Sequence, residues 1–243
     1  ANLNIFTINS WPVKLDFISR NWTAGNGIIA NGANVSINNA IIKNASTAIS
    51  AWNPASLSIS NSTIENCWFG VSVESKPVGS FYLDNVKVVG CSERGVTLGT
   101  ANLEIKNSRI SGSNYGIKAG NGIVYAGDYG ESNTYGYDTL SNNTVGLYSY
   151  ASTTGFGYYN NSQEYNGINN LFSNNETDIY ALSSSEVSAQ HNYWDDIQEL
   201  KLEWDLSSVI YTDPLLQAGK DNPEKENESE PLLNNPKLSN GEG

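Results

Sequence analysis

The chain has no methionine, one histidine (His191) and only two cysteines (Cys67 and Cys91) in 243 residues. Zinc and soft-metal sites need several sulfur or imidazole donors in one place, so neither is expected and no metal is assigned. Cations are scarce as well: 13 Lys and Arg against 25 Asp and Glu leave a formal charge of −12. That balance disfavours nucleic acid and anionic membrane surfaces as partners. No apolar run approaches the ~18 residues of a membrane-crossing helix, so no span is expected.

What the chain does have is a repeat. In Leu57-Ser58-Ile59-Ser60-Asn61-Ser62-Thr63-Ile64-Glu65-Asn66-Cys67-Trp68-Phe69-Gly70-Val71-Ser72-Val73, apolar residues alternate at Leu57 and Ile59 and again at Val71 and Val73. Polar corners fall at Ser60 to Thr63 and at Glu65-Asn66, with Ile64 alone between them. Alternation of period 2 buries one face of a strand, so this unit predicts three short strands around one coil of a solenoid. Copies follow at Val35-x-Ile37-x-Asn39, Phe81-x-Leu83-x-Asn85 and Leu103-x-Ile105-x-Asn107. The anchors Asn39, Asn61, Asn85 and Asn107 are 22, 24 and 22 residues apart. Earlier in the chain, Val13-x-Leu15-x-Phe17 fits the same spacing. Later, coils are anchored near Tyr137, at Asn169 and at His191. The copying of residue types, and not only of strand spacing, argues against an ordinary sandwich. A leucine-rich repeat would need an L-x-x-L-x-L run that is missing. Asn at one fixed corner suits an internal amide ladder of Asn39, Asn61, Asn85, Asn107, Asn169 and His191.

The run Ile59-Ser60-Asn61-Ser62-Thr63-Ile64-Glu65-Asn66 resembles the repeat of right-handed parallel β-helix proteins of the pectate-lyase-like and nitrous-oxide-accessory-like type. His191-Asn192-Tyr193-Trp194, followed by Val209-Ile210-Tyr211 and Asp213-Pro214-Leu215-Leu216, resembles the ending of such helices, with Asp195 where Gly is usual. The resemblance implies an all-β, right-handed parallel β-helix of about eight coils. Residues 1–216 would form the helix and its cap, with a short helix or turn around Ile197–Leu206. Residues 217–243, rich in Pro, Asn and Glu, would form a flexible acidic linker or tail. The chain begins at Ala1 with no visible signal peptide or helical cap. It is therefore expected to be part of something longer, or to meet another β-helix segment end-on at its N-terminal coil.

Residues 121–165 depart from the repeat. Anchor spacing widens, nine of the 14 tyrosines fall here, and four acids occur without a Lys or Arg. Excess residues must leave the coil as loops, and Tyr rings suit sugar faces. Tyr125, Tyr129, Tyr135, Tyr158, Tyr159, Asp128, Glu131 and Asp138 are therefore the candidate ligand-binding residues, with neutral or cationic glycans preferred over polyuronates. Cys67 and Cys91 share one offset in adjacent coils; they read as buried thiols in a column with Ala45 and Ser113, a disulfide being the alternative for an exported protein.

No catalytic signature of the polygalacturonase-like or lyase-like members is complete. Lys87, Lys106 and Arg109 fall near Asp84 and Glu104, and the bland account of that patch is surface ion pairing. The expectation is an extracellular or cell-surface noncatalytic scaffold or carbohydrate-binding segment of a larger protein, without a cofactor. The alternative is a polysaccharide lyase or glycoside hydrolase, for which calcium is the one cofactor to consider.

Overall fold

The computed structural model describes residues 2–5, 12–17, 25–54, 56–74, 81–127, 136–159, 165–166, 170–183, 185–194, 202–204 and 208–210. Its strands form three parallel stacks around one apolar interior. The first stack runs through Asn2–Ile5, Asn34–Asn38, the first halves of Ser56–Glu65 and Phe81–Val89, then Asn102–Lys106, Ile123–Ala126, Thr153–Gly155, Glu186–Ser188 and Ser208–Ile210. The second runs from Val13–Asp16 through Ala40–Lys43, the second halves of the two long strands, Arg109–Ser111, Thr139–Ser141 and Leu171–Ser173 to Tyr193–Trp194. The third joins Asn26–Asn31, Thr47–Trp52, Phe69–Val73, Arg94–Leu98, Tyr115–Gly120, Val145–Tyr150, Thr177–Leu182 and Leu202–Trp204.

The alternation in the sequence decides which side chains enter. Leu57, Ile59, Phe81, Leu83, Leu103 and Ile105 are at most 1% exposed, so the first face contributes two solid apolar rows to the interior. On the third stack Gly70, Gly95, Gly116 and Gly146 line one inward row where neighbouring backbone leaves no room for a side chain. A Cβ on Gly95 would lie 2.5 Å from Ile110 Cγ2 and 2.7 Å from the Gly116 carbonyl oxygen. Towards the later coils aromatic rings take over the filling. Phe172 meets Phe156 edge-on at 5.7 Å and stacks on Trp194 at 4.6 Å.

The corners explain the asparagines. Asn39, Asn61, Asn85, Asn107, Tyr137 and His191 all have φ between 48° and 55°, so the anchor positions do share one corner. Asn tolerates the left-handed region better than most side chains, which accounts for its recurrence. The second corner repeats the device with Asn44, Asn66, Gly90, Gly112, Asn142 and Asn174, at φ from 53° to 73°.

The expectation that the anchor amides stack inside the corner is corrected. Asn61 and Asn85 are exposed, and their bonds run along the outside: Asn85 Nδ2 donates to Asn61 Oδ1 (2.9 Å), and Asn61 Nδ2 to Asn38 Oδ1 (2.9 Å). Asn107 turns aside to Asp84 Oδ1 at 3.0 Å. Asn169 lies outside the described residues. A left-handed residue directs its side chain away from the turn's interior, and the next residue points in. The internal ladder is therefore one position later. Ser108 N–H donates to Asp138 Oδ1 (2.8 Å), Asp138 N–H to Asn170 Oδ1 (3.0 Å), and Asn170 N–H to Asn192 Oδ1 (3.0 Å). A second ladder lies inside the other corner, where Ser113 N–H donates to Asn143 Oδ1 (3.1 Å) and Asn143 N–H to Asn175 Oδ1 (2.9 Å).

Two further expectations change. Val13–Asp16 belongs to the second stack, in register with Ala40–Lys43, and Asn2–Ile5 fills the first-stack position assigned to it. Its alternation is a strand signal, but alternation alone does not say which face. Leu202–Trp204, expected in a helix or turn, is a strand paired with Ile179–Ala181. Ser208–Ile210 is a strand, as its Val209-Ile210 run suggests. Residues 217–243 lie outside the described residues.

Candidate binding groove on the first stack

Outward residues on the first stack form two rows along the axis. Strand registers place Ser58, Tyr82, Glu104 and Tyr125 in one row, and Ser60, Asp84 and Lys106 in the other. Between these rows lies a groove of about 300 Å³ lined by Ser58, Tyr82, Asp84, Glu104, Lys106 and Gly127. Tyr82 is 42% exposed, so a large part of its ring faces solvent. Asp84 is steadied by Asn107 Nδ2, and Glu104 lies between two tyrosines in register, Tyr82 before it and Tyr125 after. Strand spacing of about 4.8 Å and a rise of about 3.3 Å per residue put the Asp84 and Glu104 Cα atoms on the order of 8 Å apart.

Gly127, inside the Tyr-rich stretch, also lines the groove. Of the candidates there, Tyr125 is half-buried in the row beside Glu104. Asp138 does not face a ligand: it is 0% exposed, and its carboxylate caps the Ser108 N–H. This corrects its assignment, and the cause is its place one residue after the Tyr137 corner. Asp128, Tyr129, Glu131 and Tyr135 lie outside the described residues. Tyr158–Tyr159 pairs antiparallel with Tyr165–Asn166 in a two-stranded sheet of its own. The side chains of Tyr158 and Tyr159 lie outside the described residues. His191 occupies the left-handed corner at φ 52° and is half-buried. Sequence reasoning treated Asp84, Glu104 and Lys106 as ion-pairing surface and passed over Tyr82. Its signal was an aromatic at an outward position, between inward Phe81 and Leu83.

Cys67 and Cys91 are free, buried thiols at successive positions of the second corner. Their mutual hydrogen bond, together with burial, pushes Cys91 well above the ordinary thiol range. Among the described residues no cluster of three His, Cys, Asp or Glu could hold a metal ion, and no helix is long and apolar enough to cross a membrane.

Residues 9–163 match the family model described as the right handed beta helix region. The chain belongs to that right-handed β-helix family. No curated protein and no solved structure matches it. Membership fixes the handedness of the β-helix and the identity of the body as a repeat scaffold. It assigns no ligand, because one scaffold can present many different sites.

Proposed function

We propose that this β-helix is a noncatalytic, extracellular carbohydrate-binding segment that holds a neutral oligosaccharide in the first-stack groove. The supporting observation is the exposed Tyr82 ring in a groove that also offers Ser58, Asp84, Glu104 and Lys106. An aromatic face packs against the C–H side of a pyranose, and flanking carboxylates and an ammonium suit its hydroxyls. Two carboxylates against one ammonium leave the groove slightly acidic, which fits a neutral sugar better than a uronate. The Tyr-rich residues 121–165 would extend this surface, since Tyr125 stands in its outward row and Gly127 lines it. A glycan array tests this with the intact chain and with Tyr82→Ala and Tyr125→Ala. Neutral-glycan signals should fall in both variants. An array pattern unchanged by Tyr82→Ala would remove the groove from consideration.

A second function has its own support, because Asp84 and Glu104 share that groove with Lys106. They are two carboxylates on adjacent strands of one groove, the type of pair that glycoside hydrolysis uses. Incubation with a polysaccharide panel, followed by reducing-end and unsaturated-uronate assays, separates enzyme from scaffold. Product release that disappears in Glu104→Gln would establish the enzyme, and none with the intact chain favours the scaffold.

A further inference from the structure

The two ends of the β-helix differ. At the early end the apolar columns of the interior run out into the open. Leu3 is 38% exposed, while Val35, its register partner on the second coil, is 2% exposed. Ile5, Val13, Leu15 and Phe17 pack on the core but are only partly buried. Among the described residues, Asn2–Ile5, Val13–Asp16 and Asn26–Asn31 each pair with one strand, always on the second-coil side. All three stacks therefore begin with an edge strand. At the late end, Tyr193 and Trp194 form the last strand of the second stack, yet they are 7% and 5% exposed.

The middle edge strand is complementary to itself. Val13 and Phe17 donate their N–H groups to the Asn39 and Lys43 carbonyls, each at 3.0 Å. Odd-numbered residues thus turn their backbone groups to the second coil, and Lys14 and Asp16 turn theirs to the open side. The side chains of Lys14 and Asp16 are both exposed. Asp16 accepts Asn44 Nδ2 at 2.7 Å and lies 3.4 Å from Lys43 Nζ, while Lys14 makes no ion pair among the described residues. Antiparallel pairing of this edge with itself, centred on Leu15, sets Lys14 against Asp16 of a second copy, twice over. In that register the two even residues exchange both backbone bonds, and Leu15 meets Leu15. A shift of two residues either way would oppose Lys14 to Lys14 or Asp16 to Asp16, which is unfavourable.

We propose that the first coil is the interface of a head-to-head dimer, with a second copy of this chain related by a two-fold axis through Leu15. The helical ramp of the coil fits that symmetry. Each coil climbs one strand spacing, so Asn2–Ile5 stands furthest out and Asn26–Asn31 furthest back. The two-fold sets Asn2–Ile5 against Asn26–Asn31 of the second copy, projecting edge against recessed edge, and the gap between the copies stays even. Such an interface is isologous and closes at two chains. Head-to-tail stacking is the poorer fit, because Tyr193 and Trp194 are already covered at the late end.

The test is sedimentation equilibrium of the intact chain over a range of concentrations, which should show a monomer–dimer equilibrium. Lys14→Glu sets two carboxylates against each other at both symmetry-related positions and should raise the dimer Kd roughly tenfold, less at higher salt. Asp16→Lys should do the same by opposing two ammonium groups. An equimolar mixture of the two variants should regain the dimer, since each position then opposes unlike charges. Far-UV circular dichroism confirms that each variant is folded. If Asp16→Lys does not fold, having lost its own Asn44 and Lys43 contacts, Lys14→Glu alone decides. A monomer at every concentration would overturn the proposal. So would a dimer indifferent to Lys14→Glu, or growth past two chains, which would bring in the late end. The groove begins at Ser58, beyond the first coil, so loss of glycan binding and loss of the dimer are read separately.

Discussion

Asn192 Oδ1 accepts two hydrogen bonds from Asn170, one from its backbone N–H at 3.0 Å and one from Nδ2 at 2.9 Å. Asn170 Oδ1 in turn accepts the N–H of Asp138, so three successive coils are joined by side chains that are at most 1% exposed. Removing a link strands buried donors in a place water does not reach.

Asn170→Ala should therefore destabilise the helix by about 2–4 kcal/mol, with the Asp138 N–H and Asn192 Oδ1 losing partners. Asn85→Leu should cost less, about 1–2 kcal/mol, because Asn85 is exposed and the penalty is confined to a left-handed backbone. Asn85→Gly should be close to neutral. Urea denaturation of the three variants checks the order, and equal losses for Asn170→Ala and Asn85→Leu would contradict it.

Gly95→Ala should lower stability by about 1–3 kcal/mol, since its methyl would press on Ile110 and on the Gly116 carbonyl. Gly120→Ala is the control: its Cβ would meet nothing nearer than the Leu98 carbonyl at 3.6 Å. A melting temperature that falls for Gly120→Ala as much as for Gly95→Ala would show that the inward glycine row is not tight.

The two thiols should resist alkylation by iodoacetamide in the native protein and both react in denaturant, because each is buried and the Cys91 thiol is held protonated. Intact mass spectrometry reads the outcome directly. A native mass short by two hydrogens would reveal a disulfide instead.

Lys118 should titrate below the ordinary lysine value of 10.5, with burial the main cause and Arg94 the second. The folded protein then binds this proton more weakly than the unfolded chain does. Its charged form opposes folding below the folded pKa, and the opposition fades as the pH rises from that value towards 10.5. Side-chain NMR of the lysine ε-methylene gives the midpoint. A value at or above 10.5 would remove the electrostatic conflict at Arg94.

The fold was legible because alternation and corner residues recur together. Leu57, Ile59 and Ile64 have their counterparts in Phe81, Leu83 and Val88, and all are buried. Less legible was the direction of each corner side chain. Asn61 and Ser62 are both small and polar, and only the positive φ of Asn61 decides that it points out while Ser62 points in. The same one-residue ambiguity placed Asp138 among ligand candidates. Tyr82 was hidden for another reason: one exposed aromatic is ordinary on any surface, and the groove exists only because Glu104 and Lys106 arrive beside it from the next coil.

A helix that climbs one coil at a time converts order in the sequence into distance along an axis. The excess of cations through Ala119 is followed, from residue 120 to residue 200, by ten acids and no Lys or Arg. Among the described residues the charge therefore shifts along the axis, from seven Lys and Arg against six Asp and Glu through Ala119 to four acids and no Lys or Arg between Asn121 and Trp194. Near a polyanionic surface such an object experiences a torque before it experiences contact. It turns its early coils inward while its late coils are repelled, over the ~10 Å reach that 0.1 M salt allows.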